Sequence, residues 1–137
     1  MKSGGRLDLL KIVDTNANEL PDWWETDHFA SLGVNPSADP DGDGMNNRQE
    51  YLAGTHPNNS ASRLTIAEAG LLPGGDFTLT FPSVAGIRYR IETSDTLAPN
   101  SWSPLGLDLT GTGGILPATD FTANKPAKRF YRVRVIP

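Results

Sequence analysis

No part of this chain constrains it more than Asp39-Pro40-Asp41-Gly42-Asp43-Gly44-Met45-Asn46-Asn47-Arg48-Gln49-Glu50. Oxygen-bearing side chains stand at positions 1, 3, 5, 9 and 12 of a twelve-residue loop with glycine at position 6, the spacing of a loop that closes around a calcium ion. The reason is geometric. A hard cation takes 6 to 8 oxygens, alternate residues of a tightly curled loop point inward, and a last carboxylate closes the shell from two sides. Gly44 permits the sharp turn. The plainer reading is a solvated acidic turn, since Asp, Asn and Gly are also the commonest turn residues. Against it stands repulsion among the Asp39, Asp41 and Asp43 carboxylates, which a cation relieves.

The same spacing occurs earlier, in Asp14-Thr15-Asn16-Ala17-Asn18-Glu19-Leu20-Pro21-Asp22-Trp23-Trp24-Glu25. Its position 6 is Glu19 rather than glycine. A non-glycine residue in the left-handed region costs on the order of 1 kcal/mol, so this loop is expected to be strained and the weaker of the two. Each loop is expected to run into a helix. Pro21 suits an early helical position, Asp22 and Glu25 suit the positive end, and Gly33 is the expected stop. The second helix is expected over residues 46–53, ended by Gly54. Two such loop-helix units cannot bury their apolar faces separately and are expected to pack together.

This duplication resembles dockerin and thrombospondin type 3-like calcium repeats, in which the leading helix of a full EF-hand is missing. Closer still, residues 18–25, followed by residues 39–47 and 50–57, resemble segments near the C-termini of large exported proteins of environmental bacteria. The resemblance implies that Asp39, Asp41, Asp43, Asn47 and Glu50, with the Met45 carbonyl, hold one calcium ion. It implies that Asp14, Asn16, Asn18, Asp22 and Glu25, with the Leu20 carbonyl, hold a second. The chain departs from the pattern at Glu19, where Gly is usual, and at His56, where Asp is usual.

Charge is uneven along the chain. Residues 1–60 carry ten acidic and four basic side chains, a net of −6, and residues 61–137 carry six acidic and eight basic, a net of +2. The shift falls at Pro57-Asn58-Asn59-Ser60-Ala61-Ser62, which marks the expected boundary between a calcium-loop unit, 1–60, and a β module, 61–137. With no cysteine in the chain, disulfides and thiolate chemistry are excluded, and any staple must be a metal ion. No apolar run approaches the roughly 20 residues of a membrane span. Residues 1–5 lack the apolar region of a signal peptide and read as a linker, so any export signal would lie upstream.

The second part reads as β. Phe77-Thr78-Leu79-Thr80-Phe81, Tyr89-Arg90-Ile91-Glu92 and Phe130-Tyr131-Arg132-Val133-Arg134-Val135 alternate apolar and polar residues. Residues 63–67, 102–107 and 114–116 are weaker strand candidates. Short strands with frequent turn signals favour a small antiparallel sandwich. The run Tyr89 to Leu97, then Trp102, then Arg129-Phe130-Tyr131-Arg132-Val133 also resembles the terminal β module that follows such repeats. The expected fold class is therefore α+β, a small two-helix dockerin-like unit packed on a β-sandwich. A short linker stiffened by Pro57, and the aromatic surface of Trp23, Trp24, Phe29 and Tyr51, are expected to make the two one rigid body.

His28 and His56, the only histidines, lack a nucleophile motif or third ligand and read as surface or capping residues. Trp102 reads as core rather than a sugar-stacking platform. The arginines at 129, 132 and 134 read as a solvated strand face rather than an anion site. The function expected from the sequence is a non-catalytic, calcium-stapled accessory module of an exported bacterial protein, extracellular or at the cell surface, joined to upstream domains. The competing class is adhesion: docking to a cohesin-like protein or binding a polysaccharide. A calcium-dependent hydrolase ranks third, because no spare close pair of carboxylates is evident. Neither a nucleic-acid partner nor a membrane span is expected.

Overall fold

The computed structural model describes residues 12–137, so the linker reading of residues 1–5 lies outside the described residues. The chain divides between Arg63 and Leu64 into two compact units. Among the described residues the fold mixes α and β, with β predominating: two short helices followed by seven strands.

In the first unit α1 spans Asp22–Phe29 and α2 spans Asn47–Ala53. Pro21 precedes α1 in an extended conformation that suits a chain entering a helix, and Asp22 and Glu25 lie in its first, electropositive turn. The helix stops before Gly33, because Ala30 takes the left-handed conformation (φ 57°) and returns its N–H to the Thr26 carbonyl. At the start of α2, Asn46 accepts from the Gln49 N–H while the Gln49 side chain accepts from the Asn46 N–H, a reciprocal cap. Gly54, at φ 73°, ends this helix as the sequence predicts. Trp24, 3% exposed, packs edge-on to Tyr51 of α2 with ring centroids 6.0 Å apart, so the helices share one small apolar contact. Leu20, Ala53, Pro21 and Pro57 are also buried in this unit.

The second unit holds two antiparallel sheets. Strand β2 (Phe77–Pro82) lies between β1 (Glu68–Leu71) and β6 (Ile115–Asp120). Strand β3 (Arg88–Ser94) is flanked along its length by β7 (Phe130–Ile136). Its other edge is shared by β4 (Ser103–Pro104) near its end and β5 (Leu109–Thr110) near its start. Alternation places Leu79 and Phe81 of one sheet, and Tyr89 and Ile91 of the other, in one apolar cluster, with Leu116, Val133 and Val135 packed against it. The Phe81 and Tyr89 rings meet edge to face at 5.1 Å. The Tyr89 hydroxyl accepts from the Val84 N–H at 2.8 Å. Gly111 is required beneath it, since a Cβ there would stand 1.9 Å from the Val84 carbonyl oxygen.

The three strongly alternating runs are strands, but the weaker candidates shift. The run at 63–67 gives way to β1 at Glu68–Leu71, whose side chains are all exposed and so carry no alternation signal. The run at 102–107 contracts to two residues, and that at 114–116 extends to Asp120 through Pro117. Proline is accommodated because, among the described residues, β6 pairs only with β2 and its other edge carries no ladder bonds. Trp102 is half-buried, with the Arg132 guanidinium 4.2 Å above its ring, rather than in the apolar cluster. No helix of the described residues is long and apolar enough to cross a membrane.

Candidate metal centre

The loop at residues 39–50 curls because Gly42 and Gly44 both take positive φ, 72° and 96°. Backbone N–H groups then converge on the first carboxylate. Asp39 Oδ1 accepts from Gly42 at 2.8 Å and Asp43 at 3.2 Å, and its Oδ2 accepts from Gly44 at 2.9 Å. The Gly44 N–H is the main reason the Asp39 carboxyl is held below its usual range. Asp41 Oδ1 accepts from the Asp43 N–H at 3.2 Å, and Asp43 Oδ1 from the Met45 N–H at 2.8 Å. One carboxylate oxygen from each of Asp39, Asp41 and Asp43 lies within 4.8 Å of the others.

Helix α2 adds two more oxygens from its first turn. Asn47 donates its side-chain amide to the Asn35 carbonyl at 2.9 Å, which fixes the amide so that Oδ1 points the other way. Glu50 is 0% exposed and takes the Thr55 hydroxyl on Oε1. Among the described residues, the buried side-chain oxygens and nitrogens without a hydrogen-bond partner are Asp41 Oδ2, Asp43 Oδ2, Asn47 Oδ1 and Glu50 Oε2. These four atoms belong to positions 3, 5, 9 and 12 of one loop. An unpartnered buried polar atom costs about 1–3 kcal/mol, and more when charged, so four oxygens of this kind in one loop suit a positively charged ligand.

The electrostatics agree. Burial pushes the Glu50 carboxyl up to about 7, and repulsion from Asp43, Asp41 and Asp39 adds to the rise against the opposing Thr55 hydrogen bond. Burial also raises Asp41. The donors are carboxylate and amide oxygens with no nitrogen or sulfur, the set a hard divalent cation takes and a thiophilic metal does not. The residues fit an oxygen-coordinated ion.

The first loop repeats the backbone, including positive φ at Ala17 (54°) and at Glu19 (74°), where the sequence lacks glycine. The left-handed strain expected at Glu19 is therefore present, and it falls on Ala17 as well. Here the interior polar atoms are paired. Asp14 accepts the N–H groups of Asn18 (3.2 Å) and Glu19 (2.8 Å). Glu25, 0% exposed, accepts from the Asn16 amide at 3.3 Å, the Asn18 amide at 2.9 Å and the Val34 N–H at 2.6 Å. Asp22 turns to Thr15, whose N–H and hydroxyl it accepts at 2.9 and 3.2 Å. Leu20 is buried, with its N–H on Asn18 Oδ1.

Asn35 and Thr55, which orient Asn47 and Glu50, carry no signal in the loop spacing because both lie outside it. The histidines form a local contact, His28 against His56 at 4.8 Å between ring centroids, with His56 Nδ1 accepting from the Asn58 N–H. In the β unit, Asp120 is 0% exposed and accepts from Tyr131 Oη at 2.7 Å, Arg129 Nη1 at 3.0 Å and the Thr122 N–H at 2.9 Å. No protein-family model matches this chain, and no curated protein or solved structure matches it.

Proposed function

We propose that this chain is a non-catalytic accessory module whose loop at residues 39–50 binds calcium as a structural staple. The observation that carries this reading is the set of four unpartnered buried oxygens from Asp41, Asp43, Asn47 and Glu50. With Asp39 and the Met45 carbonyl, they supply the six or more oxygens calcium takes, more than the compact octahedral shell of magnesium accommodates from protein groups alone. The ion supplies positive charge to a buried acidic shell. The chain supplies the rest: Asn35 and Thr55 aim two donors, and the Gly44 N–H keeps Asp39 ionised.

Calcium that binds only the folded state adds RT ln(1 + [Ca]/Kd), about 2.7 kcal/mol at a hundredfold excess over Kd. Few apolar side chains are buried among the described residues of the first unit, and no disulfide is available, so a term of that size decides whether the second loop and α2 hold. Such sites suit the calcium-rich exterior of cells, where modules work at dissociation constants of roughly 10⁻⁴–10⁻³ M. We therefore read the chain as a dockerin-like loop-helix unit followed by a β-sandwich, part of an exported protein.

Calorimetric titration of the full chain with calcium tests this. The parent should give a saturable calcium heat that Glu50→Gln reduces at least tenfold in affinity, by removing a buried ligand charge. Equal heats from parent and variant would end the reading.

A further inference from the structure

The two loops share positive φ at positions 4 and 6 and the backbone hydrogen bonds to the side chains at positions 1, 3 and 5, yet positions 3 and 5 turn different atoms inward. At position 3, Asn16 Oδ1 accepts the Asn18 N–H at 3.3 Å, as Asp41 Oδ1 accepts that of Asp43. At position 5, Asn18 Oδ1 accepts the Leu20 N–H at 2.9 Å, as Asp43 Oδ1 accepts that of Met45. In each case the backbone claims one end of the side chain and turns the other inward. In the second loop the inward atoms are Asp41 Oδ2 and Asp43 Oδ2, which have no partner. In the first they are the Asn16 and Asn18 Nδ2 groups, which donate to the two oxygens of Glu25.

An inward NH2 group presents hydrogens and repels a cation. Rotating either amide to present its oxygen would set its NH2 against a backbone N–H, and for Asn18 would also break the 2.9 Å bond from Nδ2 to the Val34 carbonyl. We propose that the first loop holds no ion: the side-chain amides of Asn16 and Asn18 stand in the cation's place against Glu25, and the loop so closed positions Asn47 for the ion of the second.

The link runs through two adjacent residues. Val34 is gripped from both sides, its N–H by Glu25 Oε2 at 2.6 Å and its carbonyl by Asn18 Nδ2. The carbonyl of the next residue, Asn35, takes the Asn47 amide and leaves Asn47 Oδ1 buried and aimed at the shell. Two further backbone bonds, Asn47 N–H to Ala38 and Arg48 N–H to Pro36, hold the start of α2 against the same segment. Glu25, Asn16 and Asn18 are thus positioning residues for an ion they do not touch, a role that rests on the calcium reading of the second loop. The amide lock does not.

Nitrogen-15 NMR of the full chain separates the two. In chelator, the Asn18 side-chain amide should exchange with water at least tenfold more slowly than that of Asn100, and the Asn16 amide, on an exposed residue but bonded to the buried Glu25, several-fold more slowly. Added calcium should shift residues 39–50 and leave the two amides in place, at one ion per chain. Unprotected amides in chelator, or calcium shifts in the first loop as large as those in the second, would overturn the proposal. If calcium moves neither loop while the amides stay protected, the lock stands and the calcium reading falls. Positioning is read from affinity at constant stoichiometry. Glu25→Gln, which sets amide against amide, should weaken calcium binding about tenfold, the usual effect of losing an outer partner of a metal ligand. Asn18→Ala, a milder change that keeps Glu25, should weaken it several-fold, while Thr15→Ala, which touches only Asp22, should leave it within about twofold. Unchanged affinity in both Glu25→Gln and Asn18→Ala would refute the positioning role.

Discussion

Glu50 in the loop-helix unit and Asp120 in the β unit are both carboxylates with no exposed surface, and they sit at opposite ends of what burial does to a charge. Burial pushes Asp120 up, but hydrogen bonds from Thr122, Tyr131 and Arg129 outweigh it and hold the carboxyl below the ordinary range. Glu50 has one hydroxyl partner, three acidic neighbours and an unpartnered oxygen, and stands near 7. A buried charge must be completed by something. The chain itself completes Asp120 in the β unit, and Glu25 in the first loop, whereas on the calcium reading proposed above the second loop leaves the completion of Glu50 to an ion from solution.

The largest effect should come from the β unit, whose buried carboxylate is paired by the chain. Phe81→Ala empties the centre of the apolar cluster and should destabilise the β unit by about 3–5 kcal/mol, equally with calcium and with chelator. A calcium-dependent loss, read from denaturant melts of strand signal, would break the comparison. Asp120→Ala should cost about 3 kcal/mol, since it strips the half-buried Tyr131 of its acceptor and leaves Arg129 only Asp95.

Acid sharpens the contrast because the two carboxylates respond with opposite sign. The Glu50 carboxyl is raised, so between the unfolded value of 4.5 and about 7 the folded metal-free unit binds more protons than the unfolded chain. Its stability in chelator should therefore rise, by on the order of 3 kcal/mol, as pH falls through that window. Calcium needs the ionised shell, so the calcium increment should shrink over the same range. The Asp120 carboxyl is depressed, so its contribution is complete above about 3.8 and is lost only below it. Melts in chelator at pH 7.5 and 5.0 check the sign, and a helix signal that weakens on acidification would contradict it. The smallest effect should come from the exposed Arg88 and Asp108 pair, where Arg88→Ala should stay within about 0.5 kcal/mol because Arg90 keeps Asp108 paired.

The parts of this molecule that were legible in the sequence are those written locally. Loop spacing gave the second loop's Asp triad, with Asn47 and Glu50 one helical turn apart, because twelve consecutive residues carry all of it. Alternation gave β2, β3 and β7, because each has one face in the apolar cluster. What stayed hidden depends on partners distant in sequence. Strand β1 has no buried side chain to mark it, and Pro117 reads as a break until β6 is seen to be an edge. Asn35 and Thr55 look like ordinary loop residues until folding brings them to Asn47 and Glu50. In the first loop, spacing alone does not distinguish an asparagine that offers oxygen from one whose oxygen the backbone has already taken.

Hydrogen exchange of the full chain, with calcium and with chelator at neutral pH, tests the central claim most directly. Removal of calcium should strip protection from residues 39–53, while β2, β3 and β7 exchange as before. Protection that is the same in both conditions, or that falls as far in the strands as in α2, would contradict an ion that completes the loop-helix unit alone.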